Sequence, residues 1–311
     1  MRGRGHGGDT FAVVPPSSFR PSVRVAIVAC MLASACRAPL PGCTITLDRA
    51  PLPDAVHESS GAAWSRTRPG TWWTVSDEGP VPMLHAFDTT GAALARVRVE
   101  NAAVRDWEDL AAGPCTSGAG DCLYIADIGD NDAVRQTITI YEVREPAPGD
   151  SVSAPARRID TRIPNGPRDA EAFTVLPAAD GTLDVVLVSK GRRSPIDLYT
   201  GTLRADTPLV LVQRHRLASQ PHSGLDRVTG AGASPDGAWI AVRTYAALSI
   251  YRRDSLLAAG TPTQRIPLGA LREQQGEAVA MGGDGRILVT SEGSPARASV
   301  LRCPLPPAAV R

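Results

Sequence analysis

The sequence predicts an all-β fold, a β-propeller of five blades, from a repeat, its turn signals and the fit between its two ends. Five similar segments begin at Ser60, Glu108, Glu171, Thr229 and Glu277, so the intervals between them are 48, 63, 58 and 48 residues. Repeats of this length are typical of the four-stranded blades of a propeller. The length of the chain fits one large domain or two ordinary ones, and the repeat predicts a single propeller domain.

Each repeat continues with a turn and then two further strand-like runs. The turns contain Gly and Asp, which favour the backbone angles of tight turns, and they stand at 68–70, 115–122, 179–181, 234–237 and 283–285. The runs after them are short and rich in β-branched and aromatic residues, as in "DVVLVSKG" and "IDLYTG" of the third repeat. No long segment has the 3.6-residue period of an amphipathic helix, which favours an all-β fold.

The two ends of the chain predict how the ring closes. The last repeat has room for three strands, whereas "CTITLDR" (Cys43–Arg49) resembles a strand without a blade. We expect this segment to be the outer strand of the last blade, with Cys43 facing Cys303. A disulfide across so long a loop would contribute about 4–5 kcal/mol in the chain-entropy model. Six blades remain the alternative if the 63-residue interval contains one more.

These boundaries divide the chain into three parts. Residues 1–36 are predicted to be a signal peptide, residues 43–303 the propeller, and residues 304–311 a tail. The predicted blades span about 57–104, 105–165, 166–222, 223–272, and 273–303 together with 43–56.

The N-terminal segment predicts export. Arg20 and Arg24 precede the apolar run Val25–Ala35, which has the length of a signal-peptide core and is too short to span a bilayer. The run ends in "LASAC", which resembles a bacterial lipobox and would make Cys36 the lipidated residue. The alternatives are ordinary cleavage near Ala35 or a true start further along the chain. We expect the protein in the periplasm or on the cell surface, attached to the membrane only through a lipid anchor.

Four cysteines remain after the leader: Cys43, Cys115, Cys122 and Cys303. An even set in an exported protein is typical of disulfides, and four cysteines allow three pairings. Cys115 and Cys122 close a short Gly-rich loop and form the natural local pair, which leaves Cys43 with Cys303. A metal site is a weaker interpretation, because no C-x-x-C pair is present.

The charge of the chain excludes a nucleic-acid partner. Its formal net charge is +1 and Lys190 is its only lysine. Such a balance gives no basic field for a polyanion. We expect a monomer that binds a small molecule or a protein.

A ring of charged residues is predicted at one end of the propeller axis, called the axial mouth below. Neighbouring strands of a blade are antiparallel, so the start of each innermost strand and the end of the second strand lie on one face. The candidate metal ligands there are Glu58, Glu108, Glu171, Glu277 and Asp127. The other predicted lining residues are Asp77, Asp106, Asp169, Lys190, Arg105, Arg168, Arg227 and Glu292, with Arg243 or Thr244 in the fourth blade.

Carboxylates that converge on an axis must take up protons, pair with basic groups or hold a cation. Ca²⁺ is the cation that best matches an exported, oxygen-rich site. Alternatively, the charges only hold neighbouring blades together. In a hydrolase, the bound ion would activate water, with Asp127 or His222 as the base. The chain has no P-loop and no nucleophile elbow, so a binding or scaffold role is favoured over catalysis.

Several motifs resemble those of secreted bacterial β-propeller proteins of largely uncharacterised function. They are "ESSGAAW", "DWEDLAAG", "LYIADIGDN", "IYEVREP", "DAEAF", "VTGAGASPDG" and "GEAVA", and the resemblance covers about residues 57–303. The acidic mouth is more distantly similar to those of calcium-dependent phytase-like, SdiA-regulated and gluconolactonase-type propellers. The resemblance implies a metal-dependent hydrolase of phosphoesters or lactones as the alternative function. Those propellers mostly have six blades, so no catalytic residue is carried over from them.

Overall fold

The computed structural model describes residues 42–56, 58–77, 79–178, 180–219, 223–258 and 261–305. In these segments the chain forms five antiparallel sheets of four strands each, arranged in a ring as a five-bladed β-propeller. The predicted fold class and blade count are therefore confirmed. Cys36 and His222 lie outside the described residues.

The blades follow one another along the chain, and each is built from the inside of the ring outwards. Blade 1 contains β2 (Gly61–Trp64), β3 (Trp72–Val75), β4 (Met83–Phe87) and β5 (Ala93–Arg98). Blade 2 contains β6 (Trp107–Pro114), β7 (Asp121–Asp127), β8 (Ile138–Arg144) and β9 (Arg157–Thr161). Blade 3 contains β10 (Ala170–Pro177), β11 (Leu183–Ser189), β12 (Ile196–Leu203) and β13 (Val212–Ala218).

Blade 4 contains β14 (Val228–Ala233), β15 (Trp239–Thr244), β16 (Ala247–Arg252) and β17 (Gln264–Pro267). A short helix, α1 (Arg253–Ala258), lies between its last two strands. Blade 5 contains β18 (Gln275–Met281), β19 (Arg286–Glu292), β20 (Arg297–Arg302) and, as its outer strand, β1 (Thr44–Pro51). Single turns of 3-10 helix lie at Gly224–Asp226 and Gly269–Leu271. None of the described helices is long and apolar enough to cross a membrane.

The ring closes as predicted, through β1. This strand pairs with β20, and Cys43 forms a disulfide with Cys303 at a Cα–Cα separation of 4.3 Å. The second predicted disulfide, Cys115–Cys122, closes the turn between β6 and β7. Disulfides are typical of proteins that fold in an oxidising environment.

The long interval in the second repeat does not contain a sixth blade. After β8 the chain runs to the outer edge of blade 1, where Ser153 N donates to Arg98 O at 2.9 Å and Arg98 N donates to Ser151 O at 2.9 Å. The extra residues cover a strand edge that would otherwise be free to pair with another chain.

The core lies between the blades. Five clusters of buried apolar side chains each join two neighbouring blades. Trp107 is fully buried between blades 1 and 2 and donates its indole N–H to Ala103 O at 3.0 Å.

The axis is lined by small residues because five inner strands meet there at close range. A Cβ at Gly61 of β2 would lie 2.4 Å from the backbone nitrogen of Leu110 in β6. No real Cβ contact is that short, so the "SGAA" and "LAAG" segments owe their small side chains to the geometry of the ring.

Candidate functional site

β-bulges place the repeated glutamates at the axial mouth. Glu108 and Glu171 are each skipped by the register of the neighbouring strand, so each is the extra residue of a bulge at the start of its inner strand. Thr229 is skipped in the same way, and the register also shifts around Glu277. A bulge bends the strand and re-aims a side chain. Four equivalent bulges therefore turn these side chains to one end of the ring.

Three carboxylates meet at the centre of the mouth and are called the carboxylate cluster below. One oxygen of each of Glu108, Asp169 and Glu171 lies within 4.8 Å of the others, and all three residues are buried. Asp169 Oδ1 accepts a hydrogen bond from Asp130 N at 3.1 Å. Asp169 Oδ2 is buried and has no hydrogen-bond partner among the described residues. An unpaired buried oxygen of this kind is costly, and a cation would satisfy it.

Asp106 extends the carboxylate cluster on the side of Gly129. A Cβ at position 129 would lie 2.3 Å from Glu108 Oε1 and 2.4 Å from Asp106 Oδ2, so a larger residue there would displace these two side chains. Asp106 and Glu108 are hydrogen-bonded to each other, which requires a proton on one of them. Burial raises the pKa of both, and nearby carboxylates raise them further.

The lone lysine supplies a positive charge to the carboxylate cluster. Lys190 follows β11, and its ammonium donates to Glu171 Oε1. Burial alone would lower the pKa of Lys190, but the attraction of the Glu171 carboxylate wins and raises it. Burial raises the pKa of Glu171 to about 7, although Lys190 opposes this change. One ammonium thus faces several carboxylates, and the mouth keeps an excess of acidic groups.

Blade 5 contributes two further acidic side chains to the mouth, Glu277 and Glu292. Gln275 Nε2 donates to Glu277 Oε1 at 2.8 Å, and Glu292 is hydrogen-bonded to the same pair. Burial, followed by the charge of Glu171, raises the pKa of Glu277 to about 8. Burial and the charge of Glu58 raise the pKa of Glu292. These two glutamates therefore hold protons at neutral pH more readily than ordinary carboxyl groups do.

Asp127, predicted as a metal ligand or base, is held by another partner. Its Oδ1 accepts from Arg135 Nη2 at 2.8 Å, and both side chains are buried. Arg135 also donates to Gly129 O at 2.7 Å, which fixes the "DIGDND" loop. Burial raises the pKa of Asp127, and Arg135 opposes this. Asp127 is therefore in an ion pair beside the carboxylate cluster and is not one of its three members.

The other predicted residues lie around the rim or turn away from it. Glu58, Asp77 and Arg227 are half-buried, and Arg105 is exposed. Arg168 donates to Pro167 O at 2.9 Å.

The two candidates in the fourth blade have local partners. Arg243 is fully buried between blades 4 and 5, where it donates to the carbonyls of Ala278 and Thr290 at 2.8 Å and pairs with Glu273. Thr244 caps the turn that follows β15, because its hydroxyl accepts a hydrogen bond from Ala247 N at 3.1 Å.

Two residues of the site do not follow from the repeat. Tyr245 follows β15, and burial, with the charge of Glu277 next, raises the pKa of its phenol, so it lies among the mouth carboxylates. Asp109 is fully buried and accepts hydrogen bonds from Leu110 N, Phe173 N and Ala231 N at 2.8, 2.8 and 2.9 Å. It joins blades 2, 3 and 4 directly beneath the mouth, and burial raises its pKa well above the ordinary range.

The fold and the site define the class: a five-bladed, disulfide-closed β-propeller with an acidic axial mouth. No family model matches the chain, and no curated protein matches it.

Solved structures similar to this chain include two enzymes and one described as a propeller. The endo-arabinase from Bacteroides thetaiotaomicron is 10% identical, with a TM-score of 0.48 and coverage of 85% of this chain and 98% of that one. A glucose dehydrogenase is 12% identical, with a TM-score of 0.43 and coverage of 83% and 99%. The Dos1 propeller is 10% identical, with a TM-score of 0.37, and this chain covers 63% of its length. At such identities the likeness concerns the fold alone.

Proposed function

We propose that this protein is an exported binding module whose axial mouth holds a divalent cation and prefers Ca²⁺. The observation that carries the proposal is the carboxylate cluster, in which Asp169 Oδ2 is buried without a partner. Glu58, Glu277 and Asp127, the other ligands predicted from the sequence, are not members of this cluster: Asp127 is in an ion pair with Arg135, and burial raises the pKa of Glu277 to about 8.

The spacing of the cluster suits calcium. Ca²⁺ binds oxygens at about 2.3–2.6 Å, so two oxygens on one ion lie at most about 5 Å apart. The oxygens of Glu108, Asp169 and Glu171 lie within 4.8 Å of one another, which meets this limit. Backbone carbonyls and water would complete the six to eight ligands that Ca²⁺ takes. The Lys190 ammonium on Glu171 competes with the ion, which lowers its affinity.

A cavity beside the mouth provides room for a small-molecule ligand. It has a volume of about 700 Å³ and is lined by Glu58, Ser76, Met83, His85 and Arg96, among others. Small-molecule pockets are usually of about 300–1,000 Å³ and combine apolar walls with a few polar groups. Burial and the charge of Arg96 lower the pKa of His85 to about 4, so its imidazole is neutral and can accept or donate one hydrogen bond. A ligand here would reach Glu58 at the edge of the mouth.

Binding is favoured over hydrolysis because Asp127, one of the two predicted bases, is not free, while the other, His222, lies outside the described residues. Asp127 is held in an ion pair with Arg135, whereas a metal-dependent hydrolase needs a base that can take a proton from the attacking water. We propose that this binding role is exercised at the cell envelope. The two disulfides indicate an oxidising environment, and we propose lipidation at Cys36 as the anchor.

Metal analysis and thermal unfolding of the purified full chain test this function. We expect bound calcium, a fall in Tm with chelator, and a Tm restored by Ca²⁺ better than by Mg²⁺ or Zn²⁺. The variant Glu108→Gln/Glu171→Gln should lose the shift. The matched control Glu100→Gln should keep it, because Glu100 lies on the outer rim of blade 1 and pairs with Arg98. No bound metal and no shift in the parent chain would refute a metal mouth.

If calcium binds, a panel of phosphoesters and lactones separates binding from hydrolysis. A binding module leaves the substrates intact with Ca²⁺ present. Turnover that is lost with Glu108→Gln/Glu171→Gln would instead establish the hydrolase alternative.

A further inference from the structure

A small cavity lies on blade 5, and Glu292 is one of its lining residues. It has a volume of about 160 Å³, and its lining includes Arg49, Arg272, Arg297 and the serines Ser291 and Ser299. A water molecule occupies about 30 Å³ in the liquid, so the cavity has room for roughly five waters or one small anion. The three arginines come from β1, from the segment before β18 and from β20.

The carboxylates of this cavity do not neutralise its arginines. Glu273 pairs with the fully buried Arg243. Glu292 is hydrogen-bonded to Gln275 and Glu277 on the mouth side. The cavity therefore keeps an excess of positive charge, in contrast to the acidic mouth beside it.

Two observations indicate that these arginines are held in place for a ligand. Arg49 Nε is buried and has no hydrogen-bond partner among the described residues; it forms an ion pair at 3.6 Å with Asp48, which lies outside the cavity lining. Arg49 and Arg272 have φ angles of 48° and 50°, and they are two of the four non-glycine residues with positive φ in the described segments. Such backbone angles cost energy and are concentrated at binding sites.

Hydrogen bonds fix the positions of the two strand arginines. Arg49 N donates to Ser299 Oγ at 3.0 Å, and Arg297 Nη1 donates to Arg49 O at 3.1 Å. These bonds hold the Arg49 backbone and the Arg297 guanidinium in place, so Arg297 needs less reordering to bind.

We propose that this cavity binds a tetrahedral oxyanion, a phosphate or sulfate group that is free or belongs to a larger ligand. Guanidinium groups present paired N–H donors that match the oxygens of such an anion. The site is independent of the cation at the mouth.

Isothermal titration of the purified full chain with inorganic phosphate tests the site. The titration is run with chelator and at constant ionic strength, so that its outcome does not depend on a metal in the mouth. Sulfate serves as the second tetrahedral anion and acetate as the planar control. We expect saturable binding of phosphate or sulfate and weaker binding of acetate.

Matched variants locate the binding. Arg297→Gln and Arg272→Gln should each weaken phosphate about tenfold, as expected for the loss of one charge-assisted hydrogen bond. Arg302→Gln is the control, because Arg302 lies on the same strand but pairs with Asp284 outside the cavity. It should change affinity less than about twofold.

Three results would overturn the proposal: no saturable binding by the parent chain, acetate binding as tightly as phosphate, or an equal loss with Arg302→Gln. If Arg297→Gln does not fold by circular dichroism, Arg272→Gln decides alone, because Arg272 lies in a loop outside the strands.

Discussion

Asp109 should be the most sensitive single position in the ring. Replacing it with alanine leaves the backbone N–H groups of Leu110, Phe173 and Ala231 without their acceptor, and all three lie in buried inner strands. A buried amide without a partner costs about 1–3 kcal/mol. Asp109→Ala should therefore lower the free energy of unfolding by about 3–9 kcal/mol, which is comparable to the whole stability of many domains.

Asp109→Asn separates the contribution that the hydrogen bonds of Asp109 make to stability from the contribution of its charge. Asp109 Oδ2 accepts both interblade bonds, from Phe173 N and Ala231 N. The oxygen of an asparagine can replace it, and its amide nitrogen then faces the N–H of Leu110. One bond is lost, so we expect a cost of about 1–3 kcal/mol. Because burial raises the pKa of Asp109, the neutral asparagine also resembles the protonated carboxyl group.

Urea denaturation at 25 °C, with the disulfides oxidised and with two spectroscopic probes, measures these differences. The control is Asp206→Asn, at an exposed position, which should change the free energy of unfolding by less than about 0.5 kcal/mol. If Asp109→Ala lies within about 1 kcal/mol of the parent chain, Asp109 does not hold the blades together, and the reasoning fails.

Three further changes test the mouth, the ring closure and the axis. Burial raises the pKa of Glu277 to about 8. The stability that its protonated form contributes is therefore fully present at pH values below the ordinary pKa of glutamate and is lost as the pH rises towards 8. Tm scans without metal should show this fall, and Glu277→Gln should reduce it. Removing the 43–303 disulfide, which spans 260 residues, should cost about 5.5 kcal/mol in the chain-entropy model, against about 2.5 kcal/mol for the 115–122 disulfide, which spans 7. Equal losses in urea denaturation would contradict this order. Gly61→Ala should lower the free energy of unfolding by about 3 kcal/mol or more, because the new Cβ meets the β6 backbone at 2.4 Å. Gly269→Ala is the control in the same assay and should cost little, because a Cβ at this position has no atom within 4 Å.

The blades could be predicted from the sequence because each is local. A blade is four consecutive strands, or three completed by β1, and turn residues and β-rich runs report such a unit directly. The two disulfides followed from the same count, since closing the ring with an N-terminal strand leaves one partner for Cys43. Equivalent positions in the repeat also placed Glu108, Glu171 and Glu277 on one face.

The roles within the site could not be predicted, because they depend on bulges and on loop structure. Side chains alternate along a regular strand, so "EDLAA" by itself assigns Glu108 and Asp109 to opposite faces without saying which one meets the axis. The bulge at Glu108 turns it to the mouth and leaves Asp109 beneath it. The pairing of Asp127 with Arg135 depends on the fold of the loop between them. The available sequence signal for Asp109 was a carboxylate placed directly before a run of small apolar residues, "LAAG".

The departures from the repeat, more than the repeat itself, determine where the mouth is acidic. In blade 4 the equivalent residue is Thr229, whose hydroxyl donates to Glu277 O at 3.0 Å and so serves the contact between blades. In blade 1 it is Ser60, and no bulge displaces the register there. A purely structural ring has no reason to concentrate three buried carboxylates on two neighbouring blades. The carboxylate cluster lies on blades 2 and 3, where Asp169 keeps an unsatisfied oxygen, and a cation bound there would link these two blades through their inner strands.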